Sequence, residues 1–299
     1  MRMALGRRAV GEPGRIARVG IRGVCEGEVI SVPLVPQELL EDQERALDGM
    51  TQAVRVAGPV QAVGLGSLLS VVAGRGVALG QRVSVPVTTG NAATAWAAWR
   101  NVHQVLAETG HRRVALLGFS GGVGRVLAEL LAEDGVELVL GGKGRALEKR
   151  ASKLGFSLLP EAEAAASAPV VVGAATTGGT LDPQALQEDA VVLDVALPPT
   201  LQAGPRPTGV RVLAGEAVSL PKGWARDGWG QLYHLFAGYG PWQLFACLAE
   251  PLVLAHTGRD RPFAQGARVH AQDVRDFGTE AVKLGFSPRL ARGWMQAPA

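Results

Sequence analysis

From Arg15 onward the spacing of apolar residues divides the chain into elements. RIARVGIRGV and GEVISVPLV read as two strands, and PQELLEDQERALDGMTQAVRVAG carries leucine, alanine and valine at helical spacing behind a proline start. The strand PVQAVGLG and the segment SLLSVVAG continue this first α/β unit to about Ser84. TTGNAATAWAAWRNVHQVLAETG predicts a long helix whose small residues permit close packing. It leads into RRVALLGFSGGVGRVLAELLAEDGVELVLGGKGR, an apolar strand, a glycine turn, a helix and a second strand. Further strands at APVVVGAA, AVVLDVAL and GVRVLAG extend a parallel sheet over residues 112–214. Beyond it GWGQLYHLFAGYG, PWQLFACLAEPLVLAHTG and HAQDVRDFGTEAVKLGF are helical in pattern. The expected organisation is a flexible leader over 1–14, an N-terminal α/β domain over 15–86, the central sheet domain over 87–214 and a helical C-terminal region over 215–299.

Composition supports this division and excludes several classes of function. A chain of 299 residues, 47% hydrophobic and 19% charged, is long and apolar enough for a well-buried core, and its 40 glycines fit an α/β architecture with tight turns. The net charge of +3 comes from 30 basic and 27 acidic residues scattered along the chain, with no basic run interleaved with aromatics, so nucleic acid is not an expected partner. Cys25 and Cys247 lie far apart and make no metal-ligand spacing, so neither a metal site nor a disulfide framework is expected, and a reducing cytoplasm is the default location. The basic start MRMALGRRAV is not followed by the apolar run of a signal peptide. No stretch of about eighteen apolar residues predicts a transmembrane segment.

Gly118, Gly121 and Gly124 form G-x-x-G-x-x-G directly after a strand and directly before a helix. In that context the first glycine permits the turn, the second lets backbone approach a pyrophosphate, and the third lets helix and strand pack closely, while the helix N-terminus offers free N–H groups. This is the pattern of a Rossmann-type dinucleotide-binding sheet; a glycine-rich turn without a ligand is the alternative. After the second strand the chain reads Leu140, Gly141, Gly142, Lys143, Gly144, Arg145. No carboxylate stands there to hold the ribose hydroxyls of NAD, and Lys143 or Arg145 is placed to take the 2′-phosphate of NADP, so NADPH is the expected cofactor. Ser120 adds a hydroxyl within the loop, and two solvated basic residues remain the plain reading of Lys143 and Arg145.

LGSLLSVV, TTGN with Thr94 and Ala95 after it, the glycine loop, QLFACLAE and the tail KLGFSP occur in the order in which they occur in the long-chain fatty acyl-[acyl carrier protein] reductases, and the chain resembles that aldehyde-forming family from about Arg15 to its end. The resemblance implies an N-terminal α/β domain, a central NADPH-binding Rossmann domain and a helical C-terminal portion. It also implies reduction of a fatty acyl thioester, on acyl carrier protein or CoA, to an aldehyde through an acyl-cysteine whose position matches Cys247. The chain departs from the family at Ala93, where the family has histidine, at DVALPP around Asp194, and at AGEAVSLP, which lacks the family's Glu-His pair.

A cysteine in an apolar helix is ordinarily a small hydrophobe; with this motif company Cys247 is the candidate nucleophile. An ordinary thiol is only a few per cent thiolate at neutral pH, so it needs activation. A helix starting at Pro241 puts Cys247 in the second turn, beyond the reach of the terminal dipole, and Glu250 one turn further on raises the thiol pKa. His234, in LYHLF, is either a base or a structural partner. Pro251 has no N–H for the carbonyl of Cys247 and predicts a kink or a break, or the meeting of two helices. Thr88, Thr89 and Asn91 either cap the following helix or help to stabilise an oxyanion formed when Cys247 attacks a carbonyl, with Asn91 the catalytic candidate and Thr89 also placed beside the cofactor. Asp194, at the end of a strand on the ligand-binding edge, positions cofactor or substrate or caps its loop. The two rival readings are a shikimate- or quinate-type NADP-dependent dehydrogenase without covalent catalysis, and a catalytically decayed NADP-binding regulatory protein.

Overall fold

A computed structural model describes residues 11–175, 178–196, 198–228 and 242–292. The chain opens with an antiparallel hairpin, β1 (Gly14–Ile21) and β2 (Cys25–Ser31). The proline-led stretch that reads as one helix is two, α1 (Pro36–Glu41) and α2 (Gln43–Ala57). Asp42 is the reason: its carboxylate accepts the backbone N–H of Arg45 at 3.0 Å and starts a new helix. PVQAVGLG shrinks to β3 (Val63–Gly64), and SLLSVVAG becomes a 3-10 turn over Ser67–Ser70. After α3 (Val77–Arg82), β4 (Val87–Thr88) pairs with β3 in parallel.

The central unit follows the predicted order. It comprises α4 (Asn91–Thr109), β5 (Arg113–Leu117), α5 (Gly122–Glu133), β6 (Glu137–Gly141), α6 (Arg145–Lys153), β7 (Leu158–Leu159), α7 (Glu161–Ala166), β8 (Val170–Gly173), β9 (Val191–Asp194) and β10 (Arg211–Ala214). Then come β11 (Ala217–Ser219), β12 (Trp224–Gly228), β13 (Gln243–Phe245), α8 (Ala246–Thr257), α9 (Ala271–Lys283), β14 (Ser287–Pro288) and β15 (Ala291–Arg292). The main sheet runs β15-β10-β9-β8-β5-β6-β7, six parallel strands with β15 antiparallel at one edge.

Its inner strands are apolar on both faces because both faces are covered. Val114 and Leu116 pack against Val102 and Val105 of α4 and Leu127 and Leu131 of α5, while Ala115 and Leu117 pack on the other side against Ala164, Ala165 and Ala168. The chain runs from β5 outward through β6 to β7, then returns to place β8 on the opposite side of β5. This reversal opens a crevice at the carboxyl ends of β5 and β8, the position at which open α/β sheets receive ligands. The architecture is a Rossmann-like dinucleotide-binding fold.

Two C-terminal segments depart from their sequence pattern. Residues 224–228 return as β12 to pair with β1, Val19 opposite Arg226, so the N-terminal sheet is closed by a strand from far along the chain. The helix expected from Pro241 begins instead at Ala246, because Gln243–Phe245 pairs antiparallel with β11, Ala217 opposite Phe245. Pro251 does not break α8, which runs through it from Ala246 to Thr257. Its ring fills the space above Gly64, where a Cβ would lie 2.6 Å from Pro251 Cγ. GWGQLYHLFAGYG, with His234, lies outside the described residues apart from its first residue, Gly228.

Candidate functional site

The glycine loop is built from contacts that side chains would prevent. Gly118, at φ +76°, leaves β5 so close to the exit of β8 that a Cβ would sit 2.5 Å from the Ala174 carbonyl oxygen. Gly124 lets α5 lie against the loop, its own Cβ position being 2.9 Å from the Gly118 carbonyl carbon. Gly121 closes the turn, donating its N–H to the Gly118 carbonyl at 3.0 Å, and is the N-cap of α5. No side chain caps that helix start, so its first-turn N–H groups face the crevice uncommitted to a cap, and the loop fits a pyrophosphate. Ser120 is exposed on the loop, and Lys143 and Arg145 are exposed beyond the end of β6, in a turn whose sequence from Leu140 to Arg145 has no carboxylate.

A cavity of about 440 Å³ joins this loop to Cys247. Gly121 and Gly122 line one part, Ala174 and Ala175 at the exit of β8 the next, and Thr89, Asn91, Glu216 and Cys247 the far part. Ile16, Val19, Val29, Leu68, Val71 and Trp224 give it an apolar wall drawn from the N-terminal unit and β12.

Cys247 is the second residue of α8, so the first-turn field that a start at Pro241 would have kept away does reach it. The N–H groups of Cys247 and Leu248 accordingly pull the thiol pKa down. They are outweighed by burial, then by Glu216, then by Glu250, and the thiol is pushed up to about 12. The expectation that Glu250 opposes ionisation is met, and Glu216 joins it. Replacing Glu216 by Gln is expected to speed alkylation of Cys247 by iodoacetamide several-fold at pH 8, because a like charge is removed from the thiolate. Mass-resolved labelling with Cys25 as internal reference measures this, and an unchanged rate ratio would show that Glu216 does not bear on the thiol.

The start of α4 is not capped by Thr88, Thr89 or Asn91. Its N-cap is Gly90, with φ +76° and no side-chain cap bond. The helix is capped from another element: Glu250, fully buried on α8, accepts the Ala93 N–H at 2.7 Å, and the Ala92 and Gly90 amides also act on its carboxyl group. Thr88 contacts the same carboxyl group and donates to the Ala264 carbonyl at 3.0 Å. Thr89 is also tied to Ala264, its N–H donating at 2.9 Å. The Gly90, Ala92 and Ala93 amides at this helix start are therefore directed to Glu250. Asn91 keeps its side-chain amide on the cavity, without a hydrogen-bond partner among the described residues. Ala93, where the resembling family carries histidine, contributes its backbone N–H to this cap.

Asp194 ends β9 and holds the loop that follows, accepting the N–H groups of Leu201 at 3.1 Å and Ala196 at 3.2 Å. Burial pushes its carboxyl pKa up, and those amides with that of Thr200 pull it back. His234 lies outside the described residues. Among the described residues no group of three His, Cys, Asp or Glu side chains could hold a metal ion. No helix there is long and apolar enough to cross a membrane. Sequence reading missed Glu216, the capping role of Glu250, and Arg75 on the cavity wall. Only Arg75 carried a local signal, in the AGRG run that places four successive residues at positive φ.

No protein-family model matches the chain. Aminotransferase PigE of Serratia sp. is 31% identical over 290 residues, covering 88% of this chain and 32% of that protein. The long-chain acyl-[acyl-carrier-protein] reductase of Synechococcus elongatus is 27% identical over 213 residues, covering 67% of this chain and 61% of that protein. The chain thus spans about a third of the first relative and less than two thirds of the second. Among solved structures, the transhydrogenase from Sinorhizobium meliloti superimposes with a TM-score of 0.34 at 16% identity, over 41% of this chain and 46% of that one. A dipicolinate synthase from Bacillus halodurans gives 0.34 at 14% identity, over 56% of this chain and 61% of that one. This chain is similar in sequence to a long-chain acyl-[acyl-carrier-protein] reductase and to part of a longer aminotransferase.

Proposed function

We propose that this protein is an NAD(P)-dependent oxidoreductase that reduces a fatty acyl thioester, carried by acyl carrier protein or CoA, to an aldehyde. The observation that carries the reading is the single cavity joining Cys247 to the glycine loop at the β5/β8 crevice, so that one bound acyl carbon can meet both. Reduced nicotinamide, NADPH in this reading, supplies hydride when bound. The chain's own residues do the rest. Cys247 Sγ attacks the thioester carbonyl, the carrier leaves as its thiol with the proton Cys247 gives up, and the acyl group rests on Cys247. Exchange of one thioester for another is nearly balanced in energy, which suits a cysteine nucleophile. Reduction of the acyl carbon then breaks its bond to Sγ, and the sulfur takes up a proton as aldehyde departs. Asn91 supplies an amide N–H to the carbonyl oxygen, and the apolar wall holds the acyl chain. An acidic carrier suits the mild positive balance of the chain. A reducing cytoplasm suits its two free thiols. An aldehyde is also a substrate for amination, the reaction class named in the Serratia relative.

Intact-mass measurement after incubation with acyl-CoA or acyl carrier protein tests this. The expected result is an adduct of one acyl group on Cys247, absent from Cys247→Ala and discharged by NADPH as aldehyde appears. A thiol pushed up to about 12 by burial, then by Glu216 and Glu250, favours one other reading, a dehydrogenase of the shikimate or quinate type in which Cys247 is only packing. Full activity in Cys247→Ser with no adduct in the wild type would select that reading.

A further inference from the structure

We propose that Arg75, Arg125, Arg150 and Arg268 form a binding site for a ribose phosphate monoester at the rim of the glycine-loop crevice. Three backbone contacts assemble it. Ala73, Gly74, Arg75 and Gly76 take φ values of +46°, +69°, +57° and +83°, a left-handed turn that non-glycine residues enter at a cost and that sets Arg75 on the cavity wall. The Arg75 carbonyl accepts the N–H of Gly266 at 2.9 Å, which ties it to the turn closed by the Gln265–Arg268 bridge. That turn leans on the start of α5, where the Ala267 carbonyl oxygen is 3.3 Å from a Cβ placed on Gly122. One turn into α5 stands Arg125, whose Nε is shut away from solvent without a partner.

The charges follow from this assembly. Burial holds the Arg125 guanidinium pKa below its ordinary value, and Arg150 on α6, Arg268 and Arg75 push it further down, with Glu129 alone opposing. None of the four arginines forms an ion pair among the described residues, although the chain pairs arginine with carboxylate at many other places. A partly buried guanidinium with three cations acting on it, beside uncapped helix amides, suits a compact anion. A phosphate monoester is close to a dianion at neutral pH and offers three oxygens to guanidinium forks. The 2′-phosphate of NADP and the 3′-phosphate of CoA share that chemistry. The site deepens the function proposed above and rests on the crevice receiving a nucleotide.

Calorimetric titration of the full chain with 2′,5′-ADP, 3′,5′-ADP and 5′-AMP tests it. A bisphosphate is expected to bind about 30-fold more tightly than 5′-AMP, the scale of one or two charge-assisted hydrogen bonds. Preference for the 2′,5′ isomer assigns the site to the dinucleotide, and preference for the 3′,5′ isomer to CoA. Arg125→Gln should remove most of the discrimination and leave 5′-AMP binding within about threefold. Should that variant fail to fold, Arg268→Gln, on an exposed turn, carries the test. Equal binding of all three nucleotides to the wild type overturns the site. So does discrimination that survives Arg125→Gln and Arg268→Gln but is lost in Lys143→Gln, which moves the phosphate to the turn after β6. Cys247 acylation is read separately, so loss of this site leaves the reductase reading standing, and bisphosphate binding without an adduct does the reverse.

Discussion

Gly90→Ala is expected to lower the unfolding free energy by about 3 kcal/mol, a large share of the stability of an ordinary domain. Two costs add. At φ +76° an L-residue pays about 1 kcal/mol or more for the left-handed conformation. The new methyl would also overlap Cys247 Cβ and lie 2.8 Å from Cys247 Cα and 3.0 Å from its carbonyl oxygen. Overpacking of that kind costs about 1–3 kcal/mol, against which reduced unfolded-state entropy returns well under 1 kcal/mol. Because Cα and the carbonyl are backbone, Cys247→Ala cannot relieve the overlap. Gly110→Ala separates the two costs: its φ is +72° and nothing lies within 4 Å of its Cβ position. Urea midpoints that fall equally in the two variants would show that the contact between α4 and α8 at Cys247 contributes nothing.

The second large effect concerns Glu250 and runs opposite to the usual carboxylate. Burial pushes its pKa from 4.5 to about 7, while Thr88 and the Ala93, Ala92 and Gly90 amides restrain the rise. A carboxyl whose folded pKa lies above its unfolded value is held as a proton-bearing group by folding. Its contribution is complete below pH 4.5 and is lost as pH climbs to about 7, on the order of 3 kcal/mol across that window. The Thr88 hydroxyl, whose one hydrogen is divided between the Glu250 carboxyl group and the Ala264 carbonyl at 3.0 Å, does not offset the burial of the anion. Glu250→Gln removes the titration, and its carbonyl can still take the Ala93 N–H. Urea midpoints between pH 4.5 and 8.5 should therefore fall more steeply in the wild type than in Glu250→Gln, with the variant the more stable at pH 8. Parallel curves would remove Glu250 as the titrating cap. Asp194, also raised by burial, contributes in the same direction to both proteins and cancels in the comparison.

These two expectations meet at Cys247. The thiol lies at a helix start that favours its anion, between two carboxylates that oppose it, against a glycine that admits no side chain. Protonating Glu250, or neutralising it as Gln, relieves one of the opposing charges, so the wild-type thiol should react faster relative to its intrinsic rate as pH falls towards 7.

The central sheet was legible because its signals are local. Val114–Leu117 and Val170–Val172 are unbroken apolar runs, and the glycines of 118–124 sit at the spacing that one strand-to-helix turn requires. Each feature is set by residues within a few positions, where backbone sterics and burial on two faces act directly. The start of α8 was not legible: Gln243–Phe245 has no helix or strand preference strong enough to resist its partner, and β11 lies well back in the chain, Ala217 against Phe245 being 28 positions apart and Ser219 against Gln243 being 24. The cap on α4 was hidden more deeply. Thr88, Thr89 and Asn91 at a helix start suggest a local cap, yet Glu250 supplies it from 157 positions away, and no spacing rule connects the two. The arginine rim draws on a left-handed turn, two helices and a second turn, and only folding brings their charges together. The amino-acid sequence by itself determined which segments become sheet and glycine loop, because short-range geometry decides them. Only the tertiary structure decided what surrounds Cys247, because a thiol's ionisation is set by burial and charge from elements far apart in the chain.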